Sequence, residues 1–144
     1  MKQVITLLLL LVLVQGCSHG LPVELSREVQ VFGIQLAGRT DLRELNGEPG
    51  KDEPCLHGYE RTFKQQGVTI GYRSNGEIRR IMTRNPATAM FGISPGSSEQ
   101  QARERALKAG FIKKDEYAYR NGSVTLKLLV DEGGRVFGLI LETA

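Results

Sequence analysis

Two hairpins of similar length and pattern constrain this chain more than any other feature. Residues 68–74 and 77–83, rich in β-branched and aromatic side chains, flank Asn75-Gly76. Asn-Gly between two such runs is the strongest short-range hairpin signal. Residues 123–130 and 135–142 flank Gly133-Gly134 in the same way. A two-residue turn at Asn75-Gly76 sets Val68 opposite Thr83, Ile70 opposite Ile81 and Tyr72 opposite Arg79. The equivalent turn at Gly133-Gly134 sets Leu126 opposite Leu141, Leu128 opposite Leu139 and Val130 opposite Phe137. Side chains alternate across a strand, so each set shares one sheet face. That face is wholly apolar in the second hairpin and carries Arg79 and Thr83 in the first.

The correspondence extends outward from the hairpins. A shift of 58 maps Ile70 onto Leu128 and Ile81 onto Leu139, and a shift of 59 maps Val31-Phe32-Gly33-Ile34 onto Met90-Phe91-Gly92-Ile93. Both of the latter read as short extended runs that enter helical segments. The first helix is expected over 40–45, with Asp41 and Glu44 toward its positive end and Gly47 to stop it. The second begins at Ser98, where Gln101 completes a capping box, carries Ala102, Ala106, Leu107 and Ala109 as an apolar stripe, and stops at Gly110. A further strand precedes each hairpin, at 59–64 and 115–120, with Gln66-Gly67 and Asn121-Gly122 as turns. The reading is an α+β fold of two tandem units. Each is a short strand and helix followed by a three-stranded antiparallel meander, with the helices packed on one sheet face. The units span about 29–84 and 88–144 of a single domain, 29–144.

The N-terminus sets the compartment. Lys2 precedes an apolar run over 4–14 interrupted only by Thr6. At about eleven residues it is too short for a membrane-spanning helix, which needs ~20, and it reads as the h-region of a secretory signal peptide, 1–16. Leu13-Val14-Gln15-Gly16-Cys17 then resembles the bacterial lipobox, which implies cleavage after Gly16 and diacylglyceryl alkylation of the Cys17 thiol, with palmitate-type acyl chains. Residues 17–28 form the tether. Without lipid on Cys17 the chain would instead be a soluble secreted protein, free to bridge Cys17 to Cys55 in an oxidising compartment. With it, Cys55 is the only thiol left.

Residues 34–49, with Leu42, Leu45, Gly47 and Pro49 at the end, resemble the helix-then-Gly-x-Pro segment of small envelope lipoproteins of the SmpA/OmlA kind. Tandem helix-plus-sheet units also resemble the β-lactamase inhibitory protein architecture. The resemblance implies an extracytoplasmic helix-on-sheet domain that works by binding other proteins.

Composition limits the remaining possibilities. Removal of residues 1–16 leaves 128 of the 144, enough for one core. The formal charge falls from +3 to +2 because Lys2 is the only charged residue lost, far from the dense basic stripe of a nucleic-acid binder. Asp52, Glu53, Cys55 and His57 crowd one segment, but no second Cys or His cluster completes a shell, so a polar loop is expected and no metal or cofactor. Cys55 and His57, two apart with no third orienting group, make no nucleophilic dyad. No catalytic residues are expected, an envelope hydrolase built on scattered carboxylates being the remote alternative. Tyr72, Arg73, Arg79 and Arg80 form the candidate partner surface, with Arg73 and Arg80 on one face and Arg79 on the other. The functional expectation is a lipoprotein held to a bacterial membrane through Cys17, acting as a protein-binding or scaffolding module on an unidentified envelope protein. A small-ligand or metal-binding envelope protein is the alternative.

Overall fold

The computed structural model describes residues 34–43 and 50–144. The leader, Gly16, Cys17, the tether and Phe32-Gly33 lie outside the described residues, as do positions 44–49 at the end of the first expected helix. Leu42 and Arg43 are helical.

Eight strands form one antiparallel sheet. In chain order they are β1 (Glu53–Cys55), β2 (Gly58–Phe63), β3 (Val68–Arg73), β4 (Ile78–Thr83), β5 (Ile112–Lys113), β6 (Ala118–Asn121), β7 (Val124–Val130) and β8 (Val136–Thr143), with helix α1 (Glu99–Lys108) between β4 and β5. Their spatial order is β1-β2-β3-β4-β8-β7-β6-β5. The expected pair of tandem helix-plus-meander units, with helices laid on the sheet, is therefore incorrect: the chain builds a single continuous sheet, and α1 is the one full helix among the described residues. The physical reason lies at the last strand of each meander, which alone would expose an unpaired apolar edge. β4 and β8 satisfy each other instead, through Arg80–Glu142, Ile81–Leu141, Met82–Ile140 and Thr83–Leu139.

Each hairpin turn takes three residues, not two. In the first, the Gly76 N–H donates to the Arg73 carbonyl and the Arg73 N–H to the Glu77 carbonyl, with Gly76 at φ +83°. Gly134 (φ +72°), Asp131 and Arg135 repeat the arrangement in the second. This is a turn closed by a left-handed glycine, the commonest three-residue loop. One residue is then extra on the returning strand, and a bulge absorbs it: Tyr72 pairs with Ile78 and Val130 with Val136, whereas Ile70–Ile81 and Leu128–Leu139 pair as expected. Arg79 and Phe137 are those extra residues. Ile78 and Val136 take the inward places assigned to them, and Phe137 stays 44 % exposed.

Inward positions build one core. Phe63, Val68, Ile70, Tyr72, Ile78 and Ile81 meet Leu126, Leu128, Leu139 and Leu141 in a single cluster. Ser98 caps α1 by accepting from the Gln101 N–H at 3.3 Å, and Ala102 and Ala106 enter the cluster near β5 and β7. Ile34, Leu36 and Leu42 close its other end, where the backbone of Ala37 and Gly38 pairs with that of Ile78 at 2.8 Å. Met90-Phe91-Gly92-Ile93 is a tight turn and not an extended run, with Phe91 at φ +56° and Gly92 at +73°. An aromatic residue in that region is strained. The Phe91 ring is held edge-on against Phe111 at 4.9 Å, and Arg105 donates to the Gly92 carbonyl.

Because both halves of the sheet share this core, Leu141→Ala, which empties a fully buried site at the β4–β8 junction, is expected to cost about 2–5 kcal/mol. Urea denaturation followed by circular dichroism should show one transition moved to lower urea. Two separated transitions would contradict a shared core.

Candidate functional site

The inward face is sealed by the core; the outward face carries partly exposed residues, and its composition follows from the register. One row across the sheet runs Glu53, Glu60, Gly71, Arg80, Glu142, Thr125, Arg120, Ile112. The next runs Thr62, Thr69, Met82, Ile140, Lys127, Ala118. Charges in these rows pair over the surface. Arg80 reaches across Gly71 to Glu60, a strand further on, which the missing side chain permits: a Cβ on Gly71 would sit 3.2 Å from that of Arg80. Lys127 bonds Glu142 at 2.5 Å. Arg73, at the rim, lies 3.4 Å from Glu77. Arg84 packs over Gly138, its guanidinium 5.6 Å from the centre of the Phe137 ring. The result is a broad, shallow, mixed-charge surface with Met82 and Ile140 at its middle.

Of the four residues singled out as a partner surface, Arg73 and Arg80 lie on this face. Tyr72 does not. It is 1 % exposed, inside the core on the opposite face, so its place in that surface is corrected. Arg79, the bulge residue, is half-buried, and its Nε lacks a partner. Arg84, Arg120, Lys127 and Phe137 belong to the outward surface and were missed. Their juxtaposition arises through the β4–β8 junction, which no local pattern signals.

Tyr72 serves a buried charged cluster instead. Asp41, fully buried, accepts from Arg61 and from the Tyr72 hydroxyl at 2.8 Å, and its other oxygen takes the Arg43 N–H at 2.8 Å. Arg61 also forks onto Asp52, and its guanidinium lies 4.8 and 5.0 Å from the ring centres of Tyr72 and Tyr59, which stack 4.8 Å apart. Burial pushes the Tyr72 phenol up, and its bond to Asp41 adds to that. Burial acts to lower the Arg61 value, but the bonds to Asp52, Tyr72 and Asp41 outweigh it and hold the guanidinium above its ordinary range. The hydrogen bond from Arg61 holds Asp52 below the usual carboxylate value, against the opposing effect of burial. Chemically the cluster is a clamp. Its groups are mutually saturated, and it fastens the Ile34–Arg43 segment to β2 and β3.

The acid-rich segment before β2 is not a free loop. Glu53, Pro54 and Cys55 form edge strand β1, Asp52 is held by Arg61, and His57 sits in the turn to Gly58. Among the described residues no three His, Cys, Asp or Glu side chains gather as a metal shell would require.

No known family matches this chain, and no curated protein matches it. Among solved structures it is similar to an extracellular protein containing an SCP domain from Bacillus anthracis str. Ames, with a TM-score of 0.58 at 12 % identity. The match covers 75 % of this chain and 44 % of that one, so the chain corresponds to less than half of that protein's length. At that identity the likeness is one of fold.

Removal of Arg61 leaves Asp41 buried and uncompensated, so Arg61→Ala should lose about 3–5 kcal/mol in urea denaturation at neutral pH, and adding Asp41→Asn should recover part of the loss. The sign of the acid dependence follows from Asp52. Its folded value lies below the unfolded one of about 3.9, so its contribution is present above that pH and disappears as pH falls through the folded value. The stability difference between wild type and Asp52→Asn should shrink to nothing over that window; a difference that persists at lower pH would contradict the assignment.

Proposed function

We propose that this chain is an extracytoplasmic, lipid-anchored binding and scaffolding module of the bacterial cell envelope, and that the outward sheet face is its working surface. The observation that carries the reading is an eight-stranded sheet with one face sealed by the core and the other left broad and partly exposed. Sheets buried on one side normally present a solvated second side. Here that side is mixed in charge, with basic residues exceeding acids by one and two apolar residues at its centre. Its Arg80–Glu60 and Lys127–Glu142 pairs are committed to one another, an arrangement suited to surface contact more than to proton transfer. The leader that ends at Gly16-Cys17 supports export and lipidation, and the extracellular character of the Bacillus anthracis protein is in keeping with it.

Mass spectrometry of the protein from a bacterial membrane should find Cys17 as the N-terminal residue, carrying diacylglycerol. Replacing residues 1–17 by an ordinary cleavable secretory leader should release the chain from high-salt-washed membranes into the soluble fraction. An unmodified Cys17, or full retention after the swap and the wash, would defeat the anchor.

A further inference from the structure

The outward face has an unequal charge. Arg73, Arg80, Arg84, Arg120 and Lys127 stand against Glu53, Glu60, Glu142 and, at the rim, Glu77, an excess of one. Arg84 and Arg120 are exposed and form no ion pair among the described residues. Beside Arg84 the Phe137 ring is 44 % exposed, and Met82, Ile140 and Leu129 lie half-buried between the cations. Arginines around an accessible aromatic ring and a few aliphatic side chains suit the boundary between headgroups and acyl chains.

We propose that this face lies on an anionic phospholipid surface, the membrane to which Cys17 fixes the chain. The proposal rests on the anchored reading above and names what its working surface touches. Length permits the contact. From Cys17 to Ile34 is 17 residues, a stretch whose reach is at most about 55–60 Å at ~3.3–3.6 Å each. Eight strands at ~4.8 Å spacing make a sheet roughly 34 Å wide, so the tether lets the whole face lie flat. A tether of this length also keeps the surface at roughly millimolar effective concentration, so a weak basic face is sufficient. A lipid surface asks only for distributed charge and some apolar area. Each cation near an anionic bilayer is worth roughly fivefold in partitioning, so an excess of one gives about fivefold.

The test uses the processed chain, 17–144, with Cys17→Ser so that no lipid contributes. In sedimentation with vesicles, partitioning onto phosphatidylcholine mixed in equal parts with phosphatidylglycerol should exceed that onto phosphatidylcholine alone by about fivefold, and added salt should abolish the difference. Arg84→Glu with Arg120→Glu, which reverses the excess, should remove it. Arg103→Glu with Lys108→Glu, an equal charge change on the exposed side of α1, should not, and thermal melts by circular dichroism should show all forms folded. Equal loss in the two double variants would mean net charge alone acts and would overturn the proposal. So would a wild-type preference that survives high salt, a test that needs no variant to fold. Binding to polyglutamate without binding to vesicles would assign the face to an acidic protein and likewise overturn it. Should Cys17 prove unlipidated while vesicle binding follows the expected pattern, the anchor fails and the lipid-facing surface stands.

Discussion

The pairing of β4 with β8 is the constraint on which the rest of the structure depends. Four residues from each strand meet there, and the register is symmetric about Met82–Ile140 under the same shift of 58 that relates the two hairpins in the sequence. Ile81 and Leu141 project inward and Met82 and Ile140 outward, so this short contact joins both cores and both outward surfaces at once. Without it each meander would leave an edge of unpaired N–H and C=O groups beside an apolar face, the combination that invites pairing with another chain. Burying those edges against one another turns two liabilities into the centre of the sheet. It also creates the functional geometry: the rows that bring Arg80 beside Glu142, and Arg84 over Gly138 and against Phe137, exist only across this junction.

A second constraint holds the N-terminal segment. A buried carboxylate is costly unless charge and hydrogen bonds surround it. Asp41 receives both, from Arg61, Tyr72 and the Arg43 backbone, while Asp52 and two tyrosine rings engage the remaining surface of the guanidinium. An apolar replacement of similar shape could stabilise as well, so the cluster's distinctive contribution is specificity: an arginine fork and a phenol accept the segment in one position only. The clamp fixes the Ile34–Arg43 segment against β2 and β3 in a single register.

Local patterns in the sequence made most of the strands legible, and the helix as well. Period-two alternation located β2, β3, β4, β7 and β8 within a residue or two, and Ser98 to Gly110 bounded α1 on the correct caps. Register was readable in the strand interiors, where Ile70–Ile81 and Leu128–Leu139 pair as the alternation requires. It was misread next to both turns for one reason: Asn-Gly and Gly-Gly were assigned two-residue loops, whereas the left-handed glycine closes a three-residue loop and a bulge takes up the difference. The error exchanged Arg79 for Ile78 and Phe137 for Val136. Tyr72 was placed on the right side of its strand but on the wrong kind of face, since burial of a tyrosine depends on a partner such as Asp41, 31 residues away in sequence. β1 and β5 were missed because two or three residues, one of them Pro54, carry no periodicity. The long-range junction has no local signature at all.

The two strands that remain at the edges bear on how the molecule can bind. β1 is three residues long, and Pro54 at its centre carries no N–H, so it presents a poor template for an added strand. β5 is two residues long, and Lys113, followed by Lys114, places charge on that edge. Both edges are therefore blunted in the ways by which sheet proteins resist strand addition, and extended-peptide capture is the recognition mode this sheet supports least. With the edges blunted and the inward face filled, the outward face is the broad surface that the described residues leave open. There the spacing of charges across strands is set by the β4–β8 register. A shift of that register by one residue would turn Met82 and Ile140 inward and Ile81 and Leu141 outward, so the same pairing that seals the core also decides what the surface can recognise.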